Sequence, residues 1–334
     1  MTHESHLVEK IARALSSGSR GAARLRLGIG DDAAILSPAG RAEWVLSCDA
    51  FLENIHFRAN THPPDSVGYK ALARAASDLA AMGATPRFFL LTLALPTARS
   101  GSWLDAFLKG MARAARELGI SIIGGDTTNS DRVFISITVL GEIAPRQALT
   151  RSGARPGDII YVSGKLGRAQ LGLELVLSGH SRDRKLRALV QPHLYPKIRV
   201  ELGAWLARQR IATSAMDLSD GLSTDLARLC AASKVGAKIY AGKIPSVVIP
   251  AAVASSLGRR KLDPLQLALH GGEDYELLFT ISPRQEKKLR RAPGASTSTA
   301  IGEITRNQQI LLVAPNGKTK PLKSRGWDPF RGLK

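Results

Sequence analysis

Acidic residues set beside glycine or a hydroxyl residue, with few bases next to them, recur along this chain. In Gly28-Ile29-Gly30-Asp31-Asp32-Ala33-Ala34-Ile35-Leu36 two abutting carboxylates sit between a glycine turn and an apolar run, and the nearest bases are Arg26 and Arg41. Such a pair repels itself unless a cation lies between the carboxylates or one keeps its proton. Glycines let the backbone bend tightly and approach a bound group. An isolated Gly-Asp-Asp reads as readily as a solvated turn before a strand. Here the pattern returns as Ser47-Cys48-Asp49, Ser77-Asp78-Leu79, Gly124-Gly125-Asp126-Thr127-Thr128, Asp217-Leu218-Ser219-Asp220-Gly221 and Gly271-Gly272-Glu273-Asp274. In a chain of net charge +19, ordinary surface acids would be interspersed with Lys and Arg. These are not.

Carboxylates gathered in this way suit magnesium, which takes hard oxygen ligands, is usually held by one or two carboxylates, and completes its shell with water and substrate phosphates. Asp32, Asp49, Asp78, Asp126, Asp217 and Asp220 are the candidates, enough for several ions. Asp220, directly before Gly221-Leu222, is equally placed to cap the helix that follows, and the two roles are compatible. Cys48 adjoins Asp49, but a soft thiolate is a poor magnesium ligand, so its contribution is expected through the backbone or not at all.

Absent motifs narrow the chemistry. There is no G-x-x-x-x-G-K-[ST] phosphate loop, no kinase-type H-R-D or D-F-G, and His3-Glu4-Ser5-His6 has the wrong spacing for a zinc protease helix. Gly28-Ile29-Gly30 lacks the rest of a dinucleotide fingerprint. Phosphoryl transfer depends on positioning and charge neutralisation more than on covalent help. A phosphate monoester acceptor is already ionised near neutral pH, so no residue is assigned as a general base. Arg151 is a candidate clamp on the donor phosphates.

The elements that must position these groups are readable in outline. His6–Leu15 and Val67–Met82 have helical period, the latter with apolar residues at 72, 75, 76, 79 and 82 and Gly83 as a stop. A helix is expected over Ser102–Leu118, capped by Ser102 and ended by Gly119. Further helices are expected over Arg168–Leu177, from Pro196 to about Gln209, and from Leu222 to about Ala232, with a basic helix after Ile281. Strands are expected at Trp44–Leu46, Phe88–Leu95, Ile120–Ile123, Val133–Leu140, Asp158–Val162 and Tyr275–Ile281, and near 299–303 and 309–314. The turn-rich stretch Arg151–Gly157 marks a domain boundary, giving domains 1–149 and 150–334. Helices and strands mix without strict alternation, so the class is α+β or mixed α/β.

At 334 residues, 44% hydrophobic and 22% charged, the chain has the composition of a globular protein with a substantial core. The run Phe88–Ala98 is too short to cross a bilayer, so no membrane association is expected. No apolar signal core follows Met1, and two cysteines make neither a disulfide framework nor a zinc spacing; a cytoplasmic setting is expected. Basic clusters at Arg259-Arg260-Lys261, Lys287–Arg291 and Lys318–Arg325 are not interleaved with aromatics, which make up 5% of the chain. That argues against specific nucleic-acid binding and for a solvated surface that attracts polyanionic substrates.

The ordered motifs GIGDDAAIL, SCDAFLENIHF, KALARAASDLAAMGATP, GGDTTNS, LTRSGARPGD, MDLSDGLSTDL and GGEDYELLFT closely resemble those of the thiamine-monophosphate kinases, within the ATP-binding superfamily that includes aminoimidazole ribonucleotide synthetase. The match runs from about Gly28 to Thr280, with a weaker echo at Gly326-Trp327-Asp328. The resemblance implies ATP as co-substrate, thiamine monophosphate as acceptor and several magnesium ions held by Asp32, Ser47, Asp49, Asp78, Asp126, Asp217 and Asp220, with Cys48 in the same motif. It implies ATP contacts from Gly125, Arg151 and Ser219, and substrate contacts from His56, Glu273 and Trp327. An acid and an aromatic suit a cationic thiazolium and a flat pyrimidine; read alone, His56 is equally a buried histidine and Trp327 a core anchor. The implied architecture is two mixed α/β domains, the N-terminal one forming a β-barrel, flanked by helices, with a second copy in a homodimer. Three features depart from the family: Cys48 replaces a hydroxyl residue, Leu108 stands about where a tyrosine near the nucleotide is expected, and the net charge is unusually basic. A sibling enzyme acting on another phosphorylated small molecule, or a silent basic binding protein on the same fold, are the alternatives.

Overall fold

The sequence around Asp78 builds the helix on which both halves of the molecule rest. Pro63-Pro64 starts it, because proline at the first turn sacrifices only an amide that would be unpaired. Leu72, Ala75, Ala76, Leu79 and Met82 are fully buried, as their period requires. The computed structural model describes residues 25–27, 31–36, 42–180, 183–251, 253 and 262–330. The expected helix His6–Leu15, Gly28 and Gly30 of the first motif, Arg41, and the cluster Arg259-Arg260-Lys261 lie outside these residues.

The first half runs β1 (Leu25–Leu27), β2 (Ala34–Leu36), β3 (Glu43–Leu52), α1 (Pro64–Ala81), β4 (Thr85–Leu95), α2 (Ser102–Leu118), β5 (Ser121–Asn129) and β6 (Phe134–Ile143). Its strands form one sheet in the order β1-β2-β3-β6-β4-β5, antiparallel except for β4 and β5, which α2 connects as a parallel pair. Ser102 is the first residue of α2 but does not cap it: Gly101 takes that position, and no side chain caps the helix. Gly119 ends it in the left-handed conformation, as expected. Helices α1 and α2 approach closely because Gly68 and Gly110 lack side chains. A Cβ on Gly68 would lie 2.0 Å from the Phe107 carbonyl oxygen, and one on Gly110 1.8 Å from that of Asp65.

The second half runs β7 (Ile159–Val162), α3 (Arg168–Leu177), α4 (Arg187–Leu194), α5 (Val200–Arg208), β8 (Ala212–Asp217), α6 (Leu222–Ser233), β9 (Gly236–Tyr240), α7 (Pro264–His270), β10 (Leu277–Ile281), α8 (Glu286–Leu289), β11 (Thr299–Thr305), β12 (Ile310–Val313) and β13 (Thr319–Pro321). Its sheet has the order β13-β12-β9-β11-β7-β10-β8, with β9 and β12 parallel and the other pairs antiparallel. Pro196 does not open a helix. Tyr195 before it turns extended (φ −137°, ψ 69°), as residues preceding proline do, so α4 stops there; α5 begins only after Arg199. The basic helix shrinks to the single turn α8.

The fold is thus mixed α/β. One core runs from Ile35, Val45 and Ile137 of the first sheet through Leu72 and Leu79 of α1 to Leu206 of α5 and Leu277 and Phe279 of β10. A second core, with Ile160, Met216, Leu226 and Ile239, covers the opposite face of the second sheet. Helix α1 therefore lies between the two sheets. Arg113 reinforces this junction, stacking over Tyr69 of α1 (4.5 Å) and Tyr195 after α4 (4.3 Å). Both sheets are open among the described residues. Among the described residues no helix is long and apolar enough to cross a membrane.

Candidate active site

Three of the expected aspartates converge. Asp32 lies in the turn before β2, Asp78 in the last turn of α1 and Asp217 at the end of β8, and one carboxylate oxygen from each lies within 4.8 Å of the others. Ser47 of β3 donates to Asp78 Oδ2, and Ser77 donates to Asp217 Oδ2 at 2.6 Å. Burial and then the neighbouring carboxylates push Asp78 well above its ordinary pKa; burial and Asp32 raise Asp217 to about 7. Asp31 rises to about 6 through burial and the charge of Asp32. Three carboxylates and serine hydroxyls are hard oxygen donors, crowded so that they repel one another, and this set fits a divalent cation such as magnesium.

The acids are not without counter-charges in space, although the sequence places none beside them. Arg151 grips Asp32 with two bonds, at 3.0 and 2.9 Å, and its amide donates to Asp31 Oδ2 at 3.0 Å. Arg74, one helical turn before Asp78 in α1, lies 3.4 Å from Asp49. Arg228 of α6 pairs with Asp220, whose amide donates to the buried Asp225 at 3.1 Å. Asp220 therefore does not cap α6; Gly221 holds that position, with no side-chain cap.

Cys48, Asp126 and Gly125 stand apart from the converging three. Cys48 is on the opposite face of β3 from Ser47 and Asp49, because side chains alternate along a strand; its sulfur meets Ser136 and Thr138 instead. Asp126 and Gly125 are exposed on β5, itself an edge strand. Along the sheet, Asp49 aligns with Ile137, Leu91 and Gly125, which puts the β5 motif three strand spacings, about 14 Å, from β3. The glycine-rich motif is a strand rather than a turn, since residues 124–129 pair in register with 90–95 of β4.

Of the candidate substrate residues, His56 in the turn after β3 feels the charge of Glu273 in the loop before β10, while Trp327 lies in the C-terminal segment against the Asp220 backbone. Glu273 takes the left-handed conformation (φ 66°), uncommon for a residue with a side chain, and its amide donates to the Ser219 carbonyl at 2.7 Å. Burial would raise its pKa, but Lys70 and His193 outweigh burial and hold it well below the ordinary range. His56 Nδ1 accepts from the Leu52 amide at 3.0 Å, leaving Nε2 as the donor; burial and Arg74 lower its pKa to about 4. Trp327 is 48% exposed and is no core anchor. Its amide donates to the Asp220 carbonyl at 3.0 Å, tying it to the loop between β8 and α6. Leu108 is exposed on α2.

Sequence reading missed Lys70, Arg74, His193 and Arg228. The signal for the first two was present: Lys70, Arg74 and Asp78 recur every fourth residue in an Ala-rich helix and so share one face. Nothing in the local sequence around His193 or Arg228 marks them.

Residues 30–143 match the family model for the AIR synthase related protein N-terminal domain, and residues 155–313 the model for the C-terminal domain. Thiamine-monophosphate kinase from Synechococcus elongatus is 38% identical over 289 residues, 85% of each chain. That from Escherichia coli K12 is 36% identical over 315 residues, 92% of each chain. The solved structure of AaThiL complexed with AMPPCP and TMP superposes with a TM-score of 0.83 at 31% identity, covering 98% of this chain and 97% of that one. The thiamine-monophosphate kinase of Stenotrophomonas maltophilia K279a superposes with a TM-score of 0.72 at 36% identity, covering 93% and 96%. With likeness of this extent and three motif carboxylates converging, the chain belongs to the thiamine-monophosphate kinase family, on the two-domain AIR synthase related fold.

Proposed function

We propose that this protein transfers the γ-phosphoryl group of ATP to the phosphate of thiamine monophosphate, giving thiamine diphosphate and ADP. The observation that carries this reading is the meeting of Asp32, Asp78 and Asp217 on a fold whose solved relative holds AMPPCP and TMP. Asp32, Ser47, Asp49, Asp78, Asp126, Asp217 and Asp220 are the proposed magnesium ligands, with Cys48 limited to its backbone. Neutralisation of phosphate charge is what magnesium supplies there when bound. Gly125, Arg151 and Ser219 bind ATP, and the Arg151 fork exchanges its carboxylate partner for a phosphate. His56, Glu273 and Trp327 hold the acceptor. No general base is required, because the attacking phosphate oxygen is already ionised.

We further infer domains 1–149 and 150–334, a cytoplasmic setting where ATP and magnesium are supplied, and a homodimer. In that dimer β5 of one copy joins the first sheet of the other, closing a barrel and bringing Asp126 to its partner's carboxylates. Supporting this are the edge of β5, unpaired among the described residues, the exposed Ile122 and Ile123 on it, and the separation of Asp126 from Asp49 within one chain.

The deciding experiment incubates purified protein with ATP and thiamine monophosphate, with and without magnesium. Magnesium-dependent thiamine diphosphate is expected. No turnover at saturating magnesium, with ADP released on another phosphorylated acceptor, would assign the chain to a sibling activity.

A further inference from the structure

Behind Glu273 lies a buried chain of titratable side chains outside the proposed phosphate and metal ligands. Lys70 Nζ donates to Glu273 Oε2 at 2.7 Å, and His193 Nδ1 lies 3.2 Å from the same oxygen. His193 Nε2 is 3.0 Å from His62 Nε2. Lys70, His193 and His62 are all buried, whereas the Glu273 side chain keeps 24% of its surface exposed. Glu273 is therefore the end of the chain that a ligand can reach. Four separate segments supply it: the turn before α1, α1 itself, α4 and the loop before β10.

The arrangement fixes Oε2 in either proton order of the two histidines. When His193 Nδ1 carries its proton, both it and Lys70 donate to Oε2. When it does not, Lys70, which is also 3.3 Å from that nitrogen, donates to both. Glu273 is pinned at its backbone as well, by the left-handed φ of 66° and the bond to Ser219. A carboxylate so held has its charge balanced by a buried ammonium, so it serves a ligand better as an oriented acceptor than as a loose counter-ion.

We propose that Lys70 and His193, backed by His62, are positioning residues that hold Glu273 as a fixed hydrogen-bond acceptor for the exocyclic amino group of the substrate's pyrimidine, and so set specificity for an aminopyrimidine. This rests on the reading of Glu273 as a substrate contact. A site built to accept from an N–H discriminates strongly against an analogue lacking it.

The test compares thiamine monophosphate with its analogue carrying oxygen in place of that amino group, by steady-state kinetics at saturating magnesium. Wild type is expected to prefer the amino compound in kcat/KM by at least about tenfold. Glu273→Gln, Lys70→Met and His193→Leu are each expected to shrink that preference to within about threefold by raising KM for thiamine monophosphate, with KM for ATP unchanged as evidence of an intact fold. His193→Asn, which keeps an N–H near the Nδ1 position, is expected to restore most of the preference. No preference in wild type, or one untouched in Lys70→Met and His193→Leu while Glu273→Gln loses it, overturns the proposal. His193→Asn behaving like His193→Leu does the same, reducing His193 to packing. A preference unaffected by Glu273→Gln overturns the contact itself and the proposal with it. Where His193→Leu does not fold, His62→Leu, one step further from Glu273, carries the same comparison.

Discussion

Arg151 and Asp32, 119 residues apart in sequence, meet fork to fork through Nε to Oδ2 at 3.0 Å and Nη2 to Oδ1 at 2.9 Å. The Asp32 carboxylate is almost wholly buried, and it is one of the three that converge. The guanidinium thus stands where cationic charge is needed, at the junction of the two halves.

Lysine carries the charge but not the fork. Arg151→Lys is expected to raise KM for ATP by about tenfold or more while leaving KM for thiamine monophosphate within about twofold. An unchanged KM for ATP would remove Arg151 from the nucleotide site.

Asp217 gives a pH signature. Its pKa, raised from 3.8 to about 7 by burial and Asp32, means the folded protein holds a proton the unfolded chain releases. That stabilisation is complete below about pH 4 and is lost as pH rises through about 7. Asp217→Asn mimics the protonated form and still accepts from Ser77. In chelator, its stability relative to wild type should grow between pH 5 and pH 8, by on the order of 2–3 kcal/mol, and excess magnesium should erase the gain. Parallel melting curves across that range would refute the idea.

Asp126 tests assembly. Asp126→Asn is expected to abolish turnover with its melting temperature intact. If Asp126 serves the other copy's carboxylates, unfolding and refolding it together with Asp217→Asn regenerates one sound site in each mixed dimer. About a quarter of wild-type activity should return. No recovery, with mixed dimers demonstrated by mass, would place Asp126 in its own chain's site.

Arg199 tests stability away from the chemistry. It grips the buried Glu276 with two bonds of 2.5 Å, and Ser163 donates to the same carboxylate. Arg199→Met should cost on the order of 3 kcal/mol in denaturant unfolding, because it strands a buried charge. The double variant with Glu276→Met should recover most of that loss. If the double variant is as unstable as the single, packing rather than charge is responsible.

Local order was legible wherever it depended on residues a few positions apart. The period of Leu72, Ala75, Ala76, Leu79 and Met82 located α1 and its buried face, and Gly119 marked the end of α2. The acidic motifs named the converging Asp32, Asp78 and Asp217, because their residue types announce hard-ion chemistry whatever the fold. The helix expected from Pro196 is present but starts late, after Arg199, and proline's constraint on Tyr195 accounts only for where α4 ends. The basic helix is present for one turn only, Glu286–Leu289, with Leu289 as its buried residue.

Sequence by itself located α1, α2, α3, α5 and α6, most strands, the acid inventory and the family. Tertiary structure alone decided which charges meet. Arg151, Arg74 and Arg228 reach Asp32, Asp49 and Asp220 from outside their motifs, strand alternation turned Cys48 away, and His193 came to Lys70 across 123 residues. The physical reason is range. Helical period and turn chemistry act over about four residues, whereas a buried ion pair forms only where sheet order and helix packing bring two distant segments together and exclude water.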